Sequence, residues 1–113
     1  FDNIKFIQCN SLEIFNFSNF QKQDLIWVDG DHKYPVVTAD ITNAISLLSK
    51  SGILMCDDVL KQNNIFEQTV GTFETLKAYE NAHIIKTELF KKRISKKYNL
   101  SKKYVSFSKI IID

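Results

Sequence analysis

The amino-acid sequence predicts an α/β fold, in which a mostly parallel sheet is closed by a C-terminal antiparallel hairpin. Two apolar runs and the amphipathic stretch between them fit a βαβ unit of about thirty residues. Two more strand-like runs follow near the C-terminal end with no helical pattern between them. The 113 residues, of which 44% are hydrophobic and 25% charged, fit a single domain over 1–113.

The first predicted elements are a strand and a short helical turn. Residues 4–9 (IKFIQC) alternate apolar and polar side chains, which predicts a strand that stops at Asn10 and Ser11. Either of these two residues can cap the helical turn SLEIF, because short polar side chains accept hydrogen bonds from the first free amides of a helix.

The βαβ unit begins with residues 24–28, an apolar run typical of a strand that is covered on both faces. Pro35 suits a first helical position, and the apolar residues that follow recur at steps of three and four: Val37, Ile41, Ala44, Ile45 and Leu48. Gly52 stands where a left-handed helix cap is expected, and residues 53–56 (ILMC) form the next strand. Because such crossovers are right-handed, the two strands are expected to be parallel neighbours.

The C-terminal half is predicted to hold one helix and two strands. Residues 72–81 read as a helix with Phe73, Leu76, Ala78 and Tyr79 as its buried candidates. Residues 84–90 and 104–112 read as strands, and their direct succession predicts an antiparallel pair at a sheet edge.

Both strands of the βαβ unit end in acidic residues. Asp29 follows the first strand, and Asp57 and Asp58 follow the second. Because neighbouring strands lie about 4.8 Å apart, these carboxylates can converge on one divalent cation, with magnesium, calcium or manganese favoured by oxygen ligands. Each acid can instead cap the following helix or face solvent.

The paired motifs VDGDH and CDDV, with the helix and the S-G turn between them, resemble class I S-adenosylmethionine-dependent methyltransferases. The likeness is to cation-dependent O-methyltransferases, in particular the groups whose fourth strand ends in D-G-x-H. It implies a Rossmann-like methyltransferase sheet that runs from the family's third strand to its seventh and lacks the N-terminal strands. The family's glycine-rich loop and second-strand acid are not among these 113 residues, so we expect a C-terminal portion of a larger enzyme.

The resemblance also implies a role for each motif residue. His32 is implied as the general base, since imidazole exchanges protons near neutral pH. Divalent-cation binding is implied for Asp29, Asp57 and Asp58. S-adenosylmethionine binding is implied for Asn10, Ser11, Asp29 and Gly30. The implied reaction transfers a methyl group to a hydroxyl of a small-molecule substrate with a divalent cation bound.

Three other functions fit part of the pattern. A haloacid-dehalogenase-like phosphatase also places D-x-D and D-D after strands, but the segment between Asp31 and Asp58 is too short for its other motifs. A glycosyltransferase can hold manganese through D-x-D, but normally adds a long acceptor domain. A non-catalytic binding or assembly module that keeps only the sheet is the third alternative.

Charge and cysteine content limit the partners and the cellular setting that the sequence predicts. The basic segment of residues 91–103 reads as a solvated hairpin loop, and a net charge of +2 with few aromatic residues nearby does not favour nucleic acid. Cys9 and Cys56 lie in apolar segments typical of buried reduced thiols, which favours a cytoplasmic setting. No apolar run is long enough to cross a membrane. An exposed sheet edge would favour a homo-oligomer.

Overall fold

A computed structural model describes residues 2–16, 21–61, 70–92 and 103–112 of the chain. They form a mixed α/β structure with a four-stranded sheet in the order β1-β2-β4-β3. In chain order the elements are a 3-10 helix (Ser11–Asn16), β1 (Gln23–Val28), α1 (Val36–Leu47), β2 (Leu48–Val59), α2 (Gly71–Asn81), β3 (Ile85–Lys91) and β4 (Tyr104–Ile110). The predicted fold class is confirmed: a parallel pair opens the sheet and an antiparallel hairpin closes it.

The βαβ unit is the part of the fold that positions the acidic motifs. β1 and β2 are parallel, with Leu25 opposite Ile53 and Val28 opposite Cys56. The apolar stripe of α1 packs on this pair, and its buried members are Val37, Ile41, Ala44 and Leu47. The predicted crossover is therefore confirmed, and both strands end at one edge of the sheet.

The turn between α1 and β2 differs from the prediction. α1 ends at Leu47, Leu48 is already extended, and no described glycine has a positive φ. The left-handed cap predicted at Gly52 is therefore wrong. Gly52 is required for a different reason, since a Cβ there would lie 2.7 Å from Leu48 Cδ1 and 2.9 Å from the Gln23 carbonyl oxygen.

The strand predicted over residues 4–9 is absent from the described sheet. A strand needs a neighbour for its backbone hydrogen bonds, and the apolar side chains of this segment are uncovered, with Ile4 70% and Phe6 86% exposed. The helical turn that follows forms as a 3-10 helix. Its predicted cap is confirmed, because the Leu12 amide donates to Asn10 Oδ1 at 3.0 Å.

The described helices cover one face of the sheet, and no described element covers the other. Ile26 and Val28 pack against the core beneath α1, while Leu25 and Trp27 point to the opposite face and are 61% and 48% exposed. The prediction that β1 is covered on both faces, with Trp27 in the core, is therefore wrong. An apolar run does not reveal its uncovered face, because adjacent side chains of a strand point in opposite directions.

α2 and the hairpin complete the core. α2 buries Leu76 as predicted, but it also buries Thr72 and Thr75, whereas Ala78 is exposed. Thr75 and Thr38 share a hydrogen bond of 2.9 Å that joins the two helices. No helix among the described residues is long and apolar enough to cross a membrane.

Candidate functional site

The candidate site lies at the edge of the sheet where β1 and β2 end. Because Val28 is opposite Cys56, Asp29, which follows β1, and Asp57, near the end of β2, lie at the same edge. The antiparallel hairpin reaches this edge as well, since β3 ends and β4 begins beside Val59. Lys92 and Lys103, which flank that connection, therefore reach the acidic motif.

Asp58 has an unusual backbone that turns its side chain into the site. The register of β2 against β4 shifts between Cys56 and Val59, and Asp58 adopts a φ of 51°. Aspartate and asparagine are the side chains besides glycine that enter this left-handed region most readily. The backbone therefore departs from regular strand geometry at Asp58, the residue that contacts His32, Lys92 and Lys103.

The two carboxylate oxygens of Asp58 face different partners. Its Oδ2 atom lies 3.7 Å from His32 Nε2, and its Oδ1 atom accepts a hydrogen bond of 2.9 Å from Lys92 Nζ. Lys103 Nζ lies 3.8 Å from the same Oδ1. Asp58 thus links the β1 loop to the β3–β4 connection.

The donor atoms of Asp29, His32 and Asp58 lie within 4.8 Å of one another. Two carboxylates and an imidazole at this separation suit a divalent cation. This trio differs from the predicted set of Asp29, Asp57 and Asp58, because His32 takes the position expected of Asp57. The cation roles themselves stay predictions.

Asp57 is engaged elsewhere. Its Oδ1 atom accepts hydrogen bonds from Lys92 Nζ at 2.8 Å and from the backbone amide of Asp58 at 2.9 Å. Lys92 and Lys103 were predicted as part of a solvated basic loop, and for these two residues that prediction is wrong because both pair with acids. The rest of the loop, residues 93–102, lies outside the described residues.

The lysines favour the charged form of Asp58. Partial burial raises the pKa of the Asp58 carboxyl, but the hydrogen bond from Lys92 and the charges of Lys103, Lys92 and His32 outweigh it, and the pKa is lowered. Hydrogen bonds to Asp57 and Asp58 raise the pKa of Lys92 against the opposing effect of burial. Asp58 and Lys92 therefore favour each other's charged forms.

The loop that carries His32 is held at both ends. The Lys33 amide donates to Asp31 Oδ1 at 2.9 Å, so Asp31 orders the turn. Tyr34 Oη donates to Glu74 Oε2 at 3.2 Å and ties the loop to the first turn of α2. The Tyr34–Pro35 peptide bond is cis.

A cavity of about 320 Å³ opens beside the same strand end. Three of the four predicted cofactor residues line it, namely Ser11, Asp29 and Gly30. The fourth, Asn10, uses its side chain to cap the 3-10 helix that carries Ser11. Their roles toward a cofactor remain predictions.

Two polar residues were not predicted from the sequence. Asp40 lines the cavity, and its buried Oδ1 atom has no hydrogen-bond partner among the described residues. Its position on the side of α1 that carries Val36, Ala44 and Leu47 is the signal that could have identified it. Lys92 offered no such signal, because it looks like any other lysine of a basic segment.

Comparison with known proteins bears on this site. Residues 1–59 match a family described as "Methyltransferase domain". That range contains the strand end with Asp29 and His32 and the acid pair Asp57–Asp58. No functionally curated protein matches the chain in sequence.

Solved structures share the fold. Cofactor-bound Rv0187 from MTB is 16% identical with a TM-score of 0.65, and the match covers 88% of this chain and 45% of that one. The O-methyltransferase from Bacillus cereus, solved with SAH, is 13% identical with a TM-score of 0.60, and the match covers 89% and 46%. An rRNA-methylase candidate from Clostridium thermocellum is 15% identical with a TM-score of 0.67, and the match covers 99% and 60%. The chain thus spans about half the length of these proteins.

Proposed function

Because this chain belongs to the methyltransferase-domain family, we propose that it forms the catalytic edge of an S-adenosylmethionine-dependent methyltransferase acting on a small-molecule hydroxyl. The observation that supports this most is the convergence of Asp29, His32 and Asp58 where two parallel strands end. Open α/β sheets bind their ligands at this edge. The Bacillus cereus neighbour is an O-methyltransferase, which supports a hydroxyl acceptor.

His32 is the proposed base. Its Nε2 atom faces the Asp58 carboxylate at 3.7 Å, so the imidazole lies at the strand end that carries the acids. S-adenosylmethionine supplies, when bound, an electrophilic methyl group on a sulfonium. His32 would take the proton of the acceptor's hydroxyl group, whose oxygen would receive the methyl group in exchange.

The cavity beside β1 is the proposed cofactor side of the site. Ser11 and Gly30 line its wall next to Asp29, so hydroxyl, backbone and carboxylate groups are available to polar parts of the cofactor. Asn10 contributes by fixing the start of the 3-10 helix. The acceptor then approaches from the side of His32.

A divalent cation fits the carboxylates of Asp29 and Asp58, with His32 beside them as the proposed base. Such an ion would lower the pKa of a bound hydroxyl and orient its oxygen. Asp57 is a weaker candidate in this arrangement because Lys92 already binds it.

The proposal extends to the setting and assembly of the protein. The described cysteines, Cys9 and Cys56, are free thiols, which supports a reducing, cytoplasmic environment. The outer edge of β1 and the exposed Leu25 and Trp27 support self-association.

Calorimetric titration with S-adenosylhomocysteine tests the function. We expect binding by the wild type and about tenfold weaker binding by Asp29→Asn, since a hydrogen bond donated to a charged carboxylate becomes one to a neutral amide. Asp24→Asn is the matched control, because Asp24 lies at the opposite end of β1 and accepts a hydrogen bond from Ser49. Transfer of labelled methyl groups to phenolic and sugar hydroxyls then tests the acceptor class. A folded protein that bound no S-adenosylhomocysteine would instead support the non-catalytic module.

A further inference from the structure

The Lys92 ammonium lies between the carboxylates of Asp57 and Asp58, where a divalent cation is expected to bind. Its Nζ atom lies 2.8 Å from Asp57 Oδ1 and 2.9 Å from Asp58 Oδ1. Its backbone is fixed at the same place, because the Lys92 amide donates to the Lys103 carbonyl at 2.8 Å. The ammonium is therefore held by side-chain and backbone contacts together.

This arrangement places a protein-borne positive charge in direct contact with a proposed cation ligand. Asp58 is shared between Lys92 on Oδ1 and the Asp29–His32 side on Oδ2. A divalent cation that used Asp58 would lie close to the ammonium, and like charges only a few ångströms apart repel strongly in a partly buried site. Lys103 adds a second positive charge at 3.8 Å from Asp58 Oδ1.

We propose that Lys92 is a tethered cation that competes with divalent cations for Asp57 and Asp58 and thereby lowers the affinity of this edge for them. The inference rests on the proposed function in taking Asp58 as a cation ligand. A divalent cation must either displace the ammonium from the acid pair or bind beside it through Asp29 and Asp58. In both cases, removal of the positive charge strengthens cation binding.

The same geometry gives Lys92 a part in positioning. Since the ammonium holds Asp58 Oδ1, the Oδ2 atom is left toward His32. Lys92 thus sets the orientation of the carboxylate that faces the proposed base. Without a bound metal ion, it also keeps Asp57 and Asp58 from repelling one another.

Titration with Mn²⁺ by calorimetry tests the inference on the purified protein. We expect Lys92→Met to bind Mn²⁺ about tenfold more tightly than the wild type, because a neighbouring positive charge has been removed. Lys91→Met is the matched control, since Lys91 is the adjacent, exposed lysine at the end of β3. The Mn²⁺ affinity of Lys91→Met should equal that of the wild type. Lys92→Arg keeps the charge and should also match the wild type.

Equal or weaker Mn²⁺ affinity in a folded Lys92→Met protein would overturn the inference, as would the absence of Mn²⁺ binding from both proteins. Circular dichroism checks the fold, and Lys92→Gln removes the charge in the same way if the methionine variant does not fold. Titration with S-adenosylhomocysteine in the absence of metal separates this result from the proposed function. If the protein binds S-adenosylhomocysteine but Lys92→Met does not change the Mn²⁺ affinity, the proposed function stands and the inference about Lys92 is wrong.

Discussion

His32 Nε2 lies 3.7 Å from Asp58 Oδ2, although α1 and most of β2 separate the two residues along the chain. The contact exists because β1 and β2 are parallel and end at one edge, and because Asp58 turns out of the strand with a φ of 51°. The opposite oxygen of the same carboxylate binds Lys92. One aspartate therefore connects the proposed base to the only lysine that, within the described part of the chain, is placed between Asp57 and Asp58.

The contact between His32 and Asp58 predicts a specific loss in His32→Asn. We expect methyl transfer to fall by about 10²-fold or more, which is typical for removal of a general base, with unchanged affinity for S-adenosylhomocysteine. His83→Asn is the matched control, since His83 lies in the turn after α2 with a φ of 59° that asparagine tolerates. If His32→Asn also lost Mn²⁺ affinity, the role of His32 as general base would be contradicted, and His32 would be a cation ligand.

The ion pairs of Lys92 predict how stability depends on pH. The pKa of Asp58 is lowered from its usual 3.8, so its contribution is present above that value and is lost as the pH falls through the folded-state pKa. The pKa of Lys92 is raised from 10.5, so its contribution is present below that value and is lost as the pH rises further. Both contributions are therefore present at neutral pH.

Lys92→Met should accordingly lower the free energy of unfolding at pH 7, by about 1 kcal/mol or less for a partly exposed pair. The difference from the wild type should be smaller at pH 2, because Asp58 loses its charge as the pH falls. Urea unfolding of both proteins at the two pH values measures it. A difference that stayed constant with pH would mean that the methionine acts through packing rather than charge.

The two cysteines are predicted to differ in reactivity. Burial raises the pKa of Cys56 to about 11, partly offset by a hydrogen bond with Ser106, and the residue is 1% exposed. Cys9 is exposed, which corrects the prediction that both thiols are buried. Because the thiolate is the reactive form, an aromatic disulfide reagent at pH 8 should modify Cys9 in the native protein and both cysteines after denaturation. Cys9→Ser should then show no rapid reaction, and a rapid reaction in that variant would contradict the burial of Cys56.

The acidic edge was predictable from the sequence because the inference needed only local patterns. A run of apolar residues ending in Asp29, a helix, and a second run ending in Asp57 imply parallel strands whose ends meet. The pairing of β3 with β4 followed for the same reason, since the sequence between them has no helical pattern. These relationships depend on neighbours along the chain.

The remaining features depend on contacts that the pattern does not encode. The ion pair of Lys92 with Asp57 and Asp58 forms only because β3 ends beside the end of β2, across the first residue of β4. The exposure of Trp27 depends on which face the helices cover, and an apolar strand is compatible with either face. Residues 4–9 have a strand-like pattern but lack a partner in the described sheet.

The glycines offer a paired test that separates packing from ligand binding. A Cβ on Gly52 would lie 2.9 Å from the Gln23 carbonyl oxygen and 2.7 Å from Leu48 Cδ1, and backbone cannot move away cheaply. Gly52→Ala should therefore lower the free energy of unfolding by about 1–3 kcal/mol, as overpacking does.

A Cβ on Gly30 would meet only Asp40 Oδ2, at 3.4 Å, so Gly30→Ala should change stability by less than about 0.5 kcal/mol. Because Gly30 lines the cavity, the added methyl group should still weaken binding of S-adenosylhomocysteine, which calorimetry on the folded variant measures. Unchanged affinity in Gly30→Ala would remove Gly30 from the proposed cofactor side. Equal destabilisation by the two substitutions would contradict the close packing that distinguishes Gly52.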